Sequence, residues 1–495
     1  MKHKNLMVYG TGSDVGKSII VAGLCRVLKQ KGISVCPFKS QNMALNSYIT
    51  KDGKEMGRAQ VVQAEAAGLE PSVYMNPILL KPSTDQKSQV ILHGKALQNM
   101  SAREYYTKKT AMKEEIKKVY EFITSHFEAS ILEGAGSPAE INLKQNDLVN
   151  TGMATIADAP AILVADIDKG GVFASIYGTI KLLEKDESAR IKGIVINKFR
   201  GDVTLLEPGL KMIEEKTGVP VLGVVPYMEM DIEEEDSCGI DRSRKNERGK
   251  IDIAVVMLKR ISNFTDMDVL DKHNDVSVRY VRDAHELDGA DMIIIPGSKN
   301  TIEDLIDLKR RGIDQEIVSQ ARKGTVVFGI CGGFQMLGFK ICDEEGIESA
   351  VNEISGLGLL DIETKMKNVK TTVQYSGILS TEQGILKGID NCKIKGYEIH
   401  QGITQGLEKS FFLNEESLKG TVKNNIVGTY IHGIFDNNEF TTFLLNRIRE
   451  NKGIDKVDEV FDYEAYKQSE YDKLAKNLNK YLDMESIYKI MGFGS

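Results

Sequence analysis

Short uninterrupted apolar runs recur along this chain, and each ends in glycine or a polar cluster. In the first half they fall at residues 6–9, 33–38, 129–132, 161–165, 193–196 and 220–226. Unbroken runs of this length suit strands buried on both faces, and the stretches between them, such as 19–28 and 172–183, read as helices. Strands alternating with helices predict the α/β class, a parallel sheet covered on both sides. A second set of runs at 251–258, 291–295, 326–330 and 426–431 predicts another α/β unit. Residues 356–402 read as mostly β, and the chain from 440 onward as charged and mostly helical.

Between the two sets the pattern changes. Glu229-Met230-Asp231-Ile232-Glu233-Glu234-Glu235-Asp236 is an acidic block, and Arg242-Ser243-Arg244-Lys245-Asn246-Glu247-Arg248 a basic one. With little to bury, such a stretch reads as a solvated segment between domains. The expected division is a first domain over 1–228, a charged linker over 229–250, a second domain over 251–443 and a helical tail over 444–495. No internal repeat is present.

The run 326–330 leads into Cys331-Gly332-Gly333, then a helical stretch. A strand, a sharp G-x-C-x-G turn and a helix make a nucleophile elbow, in which flanking glycines admit a strained backbone and a close substrate. The helix N-terminus directs free N–H groups at the sulfur, a setting that favours the nucleophilic form. The competing reading is a buried cysteine beside a glycine-rich turn. A thiol nucleophile needs a base and a proton donor for its leaving amine. His432 and His400 both stand at Gly-flanked strand ends, and His432 follows the cleaner apolar strand. The Pro296-Gly297-Ser298 turn can offer the Gly297 N–H to an oxyanion, opposite the N–H of Gly332.

In the first half, Gly10-Thr11-Gly12-Ser13-Asp14-Val15-Gly16-Lys17-Ser18 lies between a strand and a helix, where a P-loop belongs. Its amides would cradle phosphates, Lys17 would reach the terminal ones and Ser18 could hold Mg²⁺. The usual spacing requires glycine at 11, where this chain has Thr11. The longer spacing resembles the dethiobiotin-synthetase type of P-loop. Glu133 at the tip of a buried strand has the Walker-B placement suited to Mg²⁺. Lys39 follows another strand end, where open sheets bind ligands. Asp52 lies in a turn and, alone, reads as a turn residue. Asn197 at a strand tip could read a nucleotide base or cap a loop.

Composition narrows the classes. A net charge of −7 over 495 residues is not the basic footprint of a nucleic-acid binder. Six cysteines without a C-x-x-C pair argue against a disulfide framework or zinc site and for a reducing cytoplasm. The N-terminus runs straight into a strand and lacks a signal peptide's apolar core, and no apolar run approaches the ~20 residues that cross a bilayer. No membrane partner is expected, and the oligomeric state stays open.

With Cys331 and His432 placed, the second half resembles a class I glutamine amidotransferase. Ile434 stands where most members carry the acid of His-x-Glu. The third triad member is therefore unassigned and a Cys–His dyad is possible. This departure fits the cobyric and cobyrinic acid synthase (CobB/CobQ-type) branch. Lys39-Ser40-Gln41-Asn42-Met43-Ala44-Leu45-Asn46-Ser47, Asp52-Gly53-Lys54-Glu55-Met56-Gly57-Arg58-Ala59-Gln60, Asp166-Ile167-Asp168-Lys169-Gly170-Gly171-Val172-Phe173 and Gly396-Tyr397-Glu398-Ile399-His400 all resemble the cobyric acid synthase subfamily. The resemblance implies a P-loop dethiobiotin-synthetase-like amidoligase domain joined to a glutaminase domain. It implies ATP and Mg²⁺ as requirements, with glutamine and a corrinoid, adenosylcobyrinic acid a,c-diamide, as substrates. The b, d, e and g carboxylates would be amidated. Ser18, Asp52 and Glu133 would stand on the metal side, and Lys39 on the phosphate. The competing readings are a degenerate glutaminase used as a binding module, which an intact Cys331 and His432 argue against, another ATP-dependent amidotransferase, such as the a,c-diamide synthase, and a partition-type P-loop switch ATPase. The latter class places a lysine early in its P-loop and lacks the Cys331/His432 half.

Overall fold

A computed structural model describes residues 3–82, 87–144, 147–232, 249–458 and 460–494. It divides into two compact units: Met1–Ala44, Met56–Glu235 and Glu464–Ser495 form one, Leu45–Glu55 and Asp236–Tyr463 the other. Most of the charged stretch expected as a linker lies outside the described residues. The expected tail is shared, since the helix Asn438–Asn451 belongs to the second unit and the chain from Glu464 to the first. Among the described residues no helix is long and apolar enough to cross a membrane.

The first unit is built on a six-stranded sheet, in spatial order Val221–Pro226, Ile191–Phe199, Ala161–Asp166, Lys4–Gly10, Ala129–Glu133 and Val35–Phe38. Every neighbouring pair is parallel, as the unbroken apolar runs predict. Helix Lys17–Gln30 buries Ile20, Val21, Leu24, Val27 and Leu28, a stripe at helical spacing. The helix Tyr463–Tyr481 adds Leu474 and Leu478 to the same core. Each contributes on the order of 2 kcal/mol by leaving water. Gly23 lets this helix approach, since a Cβ there would lie 2.4 Å from Leu478 Cδ1.

The second unit repeats the logic. Its sheet runs Val276–Val281, Ile251–Val256, Met292–Ile295, Val326–Ile330, Ile426–Thr429, Gly420–Lys423, parallel except for the last pair. The β-rich stretch is a long antiparallel hairpin, Ile362–Thr381 with Ile389–Gly406. Buried Arg449 grips Asp275 through Nε at 2.9 Å and Nη2 at 2.8 Å, fastening helix Asn438–Asn451 to the sheet. That bidentate pair holds the Asp275 carboxyl below its ordinary value.

In both sheets the register brings chemistry to one edge. Val8 pairs with Glu133 and Gly10 with Val164, so the glycine loop and Glu133 leave adjacent strand ends. Ile330 pairs with Thr429, so Cys331 and His432 also leave neighbouring strands at the same level.

Candidate active site

Strand Val326–Ile330 is buried along its length and stops at Cys331, whose φ of 52° and ψ of −107° lie outside the ordinary allowed regions. Helix Gly332–Leu337 begins on the next residue. The strain is held by the Cys331 N–H, which donates to the Thr429 carbonyl at 2.8 Å, and by tight packing behind the turn. A Cβ on Gly333 would sit 1.9 Å from the Ile295 carbonyl oxygen, so only glycine fits. Sharp, strained turns of this kind occur where a side chain must be presented in a fixed direction.

His432 is buried, with 1% exposure, and its Nδ1 lies 2.7 Å from Asp266 Oδ2. The other oxygen of Asp266 accepts the Gly433 N–H at 2.9 Å. Asp266 stands on the 3₁₀ turn Phe264–Met267. With Nδ1 committed to the carboxylate, the other ring nitrogen faces the Cys331 sulfur, and the two side chains hydrogen-bond. Burial opposes charge on the ring, but Asp266, and secondarily Cys331, outweigh it and push the pKa of His432 from 6.5 up to about 10. Asp266 thus favours the protonated ring, with the Cys331 side chain beside it.

Asp266 is the member sequence reasoning missed. Nothing near it forms a motif. The available signal was a carboxylate in the turn Phe264-Thr265-Asp266-Met267, and Asp268 and Asp271 close by are equally acidic. Only the fold selects among them.

Asp266→Asn is expected to lower glutamine hydrolysis by about 10²- to 10⁴-fold, through loss of ring orientation and charge. The raised pKa of His432 also stabilises the fold. Because the folded value lies above the ordinary 6.5, the contribution is full below pH 6.5 and is lost as pH rises through about 10. Thermal melting between those values should show a steeper loss for the native chain than for Asp266→Asn, and parallel curves would refute the linkage.

Other expected residues take definite places. A Cβ on Gly297 would lie 3.2 Å from His432 Cε1, and one on Gly332 3.0 Å from the Ser298 nitrogen, so both glycines border the site. Gly297 is also paired with Ser262 in a two-residue ladder. His400 stacks on Tyr430 with centroids 3.8 Å apart and bonds to Glu398 and the Gly402 carbonyl, both at 3.2 Å. These partners hold it as a wall of the site, and the Cys331 sulfur is aimed one residue away, 3.5 Å from the Ile399 carbonyl.

In the first unit Glu133 is buried at the centre of a polar cluster. It accepts from Ser18 Oγ at 2.8 Å, Lys39 Nζ at 2.9 Å and Gln63 Nε2 at 2.5 Å. Lys17 Nζ folds back onto the carbonyls of Gly12 at 2.8 Å and Gly136 at 3.2 Å. Asp14 and Gly16 take positive φ, 57° and 96°, which turns the loop back on itself as a phosphate cradle requires. Its mouth is open: a Cβ on Gly12 would meet nothing within 4 Å. Thr11 donates its N–H to the Val164 carbonyl at 3.0 Å, and Gly10 packs against Val15 and Lys17. Ser13 is exposed. Asn197 gives Nδ2 to the Val15 carbonyl at 2.9 Å, the loop-capping arrangement.

Asp52 is not gathered with Ser18 and Glu133. It lies in the stretch 45–55 of the second unit, where Oδ2 pairs with Lys54 at 2.7 Å and Thr50 donates to Oδ1. Burial would raise its pKa, but Lys54 and Thr50 lower it below the ordinary value.

Residues 252–440 match the model of the CobB/CobQ-like glutamine amidotransferase domain, and residues 6–237 that of the CobQ/CobB/MinD/ParA nucleotide binding domain. Over its whole length the chain is similar to curated cobyric acid synthases. That of Streptococcus sanguinis is 51% identical over 502 residues, covering 99% of each chain. That of Clostridium acetobutylicum is 50% identical over 494 residues, covering 98% of each.

Proposed function

The chain belongs to the cobyric acid synthase family, and from that premise we propose that it amidates peripheral carboxylates of a corrinoid, using glutamine and ATP. The substrate is adenosylcobyrinic acid a,c-diamide, the positions are b, d, e and g, and the setting is cobalamin biosynthesis in the cytoplasm. The observation that carries this reading is the pairing, in one chain, of a Cys331–His432–Asp266 triad with a P-loop whose Ser18 donates to Glu133.

The Cys331 sulfur attacks the side-chain carbonyl carbon of glutamine. Backbone N–H groups around Gly297 and Gly332 receive the oxyanion. The C–N bond breaks as His432 passes its proton to the leaving nitrogen, and ammonia departs. Water then cleaves the thioester to glutamate, with His432 taking a proton from it. Asp266 orients the ring throughout and balances its charge.

A carboxylate is a poor electrophile, so the ATP site of the first compact unit supplies a leaving group. The terminal phosphoryl of ATP passes to a corrinoid carboxylate, ADP leaves, ammonia attacks the acyl phosphate and phosphate departs. The loop 10–18 holds the phosphates, Lys17 and Lys39 face the transferring charge, and Asn197 keeps the loop closed at Val15. The hydroxyl of Ser18 and the carboxylate of Glu133, already 2.8 Å apart, fit a Mg²⁺ ion. Asp52 would join them only by giving up Lys54. When bound, Mg²⁺ screens the phosphate charge.

The test is mass spectrometry of adenosylcobyrinic acid a,c-diamide incubated with the protein, ATP, Mg²⁺ and glutamine. Each carboxylate-to-amide exchange lowers the mass by the difference between OH and NH₂. A stepwise fall ending at the acid amidated at b, d, e and g is expected. An unchanged corrinoid beside active glutamine hydrolysis would refute the substrate.

A further inference from the structure

Helix Thr301–Arg310 starts just after the Pro296-Gly297-Ser298 turn, and its residue Asp304 reaches back to that turn. Asp304 is buried, with 1% exposure. Its Oδ2 accepts the Ser298 hydroxyl at 2.6 Å, and both its oxygens stand 3.3 Å from the Arg260 nitrogen, whose N–H they share. The Ser298 oxygen in turn accepts the Asn300 N–H at 3.0 Å. Gly297–Ser298 pairs antiparallel with Ile261–Ser262, and the Lys299 N–H donates to the Arg260 carbonyl at 2.9 Å. One carboxylate therefore clasps both strands of this short ladder. Farther along the helix, Asp307 takes the ammonium of Lys259 at 2.5 Å and fastens the same strand a second time.

Both strands lead into the candidate site. Gly297 lies against the His432 ring, and the Ser298 nitrogen against Gly332. The other strand runs on through Asn263 into the turn that carries Asp266. Burial pushes the Asp304 carboxyl up to about 6, against the Ser298 hydroxyl and the Arg260 N–H, which pull it down. At neutral pH the ionised form still dominates, and its bond to Ser298 is of the charge-assisted kind, about twice as strong as a neutral one. Oxyanion donors act by being fixed before the charge develops, and a misplacement of about 1 Å can cost about 10²-fold in rate.

We propose that Asp304 is a positioning residue for glutamine hydrolysis: through the Ser298 hydroxyl it holds the Gly297–Ser298 turn in the place from which backbone N–H groups receive the oxyanion. This rests on the amidotransferase reading above. Asp304 touches neither Cys331 nor His432, so its removal acts on the oxyanion and leaves the thiol its base.

Asp304→Asn keeps the shape of the side chain but leaves one oxygen to accept where two do now. Ser298→Ala removes the hydroxyl from a half-buried side chain and decides the matter if the first variant does not fold. Glutamate release from glutamine is measured in the full mixture of ATP, Mg²⁺ and corrinoid. Alkylation of Cys331 by iodoacetamide, followed by peptide mass, is measured beside it. In that reaction the sulfur displaces iodide from carbon and no oxyanion develops. Both variants are expected to lose about 10- to 100-fold in kcat with KM for glutamine little changed, while Cys331 is alkylated at the native rate. A native-level kcat in either variant, a loss confined to KM, or a loss shared by alkylation overturns the proposal. A native chain that is alkylated but releases no glutamate counts against the amidotransferase reading and takes this proposal with it. Native hydrolysis beside an unchanged corrinoid counts against the corrinoid alone and leaves the comparison of variants standing.

Discussion

Cys331→Ala is expected to lose glutamine-dependent amidation by at least about 10³-fold, or about 4 kcal/mol of barrier, while amidation supported by added ammonium salt continues. The reasoning is chemical. Glutamine yields ammonia only through attack on its amide carbon. Within the triad the sulfur is the atom aimed for that attack, with His432 bonded to it and Asp266 behind. Alanine fills the elbow without a nucleophile, and its small side chain is buried at the turn after strand Val326–Ile330. On the proposed reading, carboxylate activation falls to Ser18, Lys17, Lys39 and Glu133, which belong to the other compact unit. Supplied ammonia bypasses the missing step. Both activities are read by the same corrinoid mass shift with the two nitrogen sources. Equal loss from glutamine and from ammonium would contradict the division of labour between the two sites.

The two candidate sites were legible in the chain because both follow one local rule. A buried apolar run ends abruptly and places a functional group at its tip, and the run, the glycines and the functional residue are contiguous. Cys331, His432, Glu133 and the loop 10–18 all obey it, and the parallel registers then bring them to one edge of each sheet. Asp266 does not obey it, since it reaches His432 from a turn 166 residues away. The composition of that turn does not distinguish it from its acidic neighbours. The fate of residues 45–55 was illegible for a different reason. The stretch carries few large apolar side chains, and its attachment to the second unit combines backbone carbonyls with the scattered side chains of Asn46, Tyr48, Ile49 and Glu55, which form no periodic pattern. The helices after Glu464 were visible as helices. Their destination depends on Gly23 and the surface beneath it, a fit between surfaces that periodicity does not encode.

Glu133→Gln is expected to lose amidation with both nitrogen sources, by about 10²- to 10³-fold, the scale of removing one well-placed electrostatic group. Glutamine keeps the length and shape of the side chain, so the change is one of charge and hydrogen-bond direction. The carboxylate now accepts from Ser18, Lys39 and Gln63 at once. An amide has one oxygen to accept with, and its NH₂ would point a donor at another donor. It also removes the carboxylate that lies 2.9 Å from the ammonium of Lys39, whose side chain is 5% exposed. Breaking a buried pair on one side costs about 3–5 kcal/mol. A fall in melting temperature should therefore accompany the loss of activity. Glutamine hydrolysis without ATP separates the two effects, because the Cys331 site lies in the other compact unit and keeps all its own partners. Hydrolysis near the native level beside absent amidation would place the defect in carboxylate activation. Native-level amidation from ammonium salt would instead show that Glu133 takes no part in it.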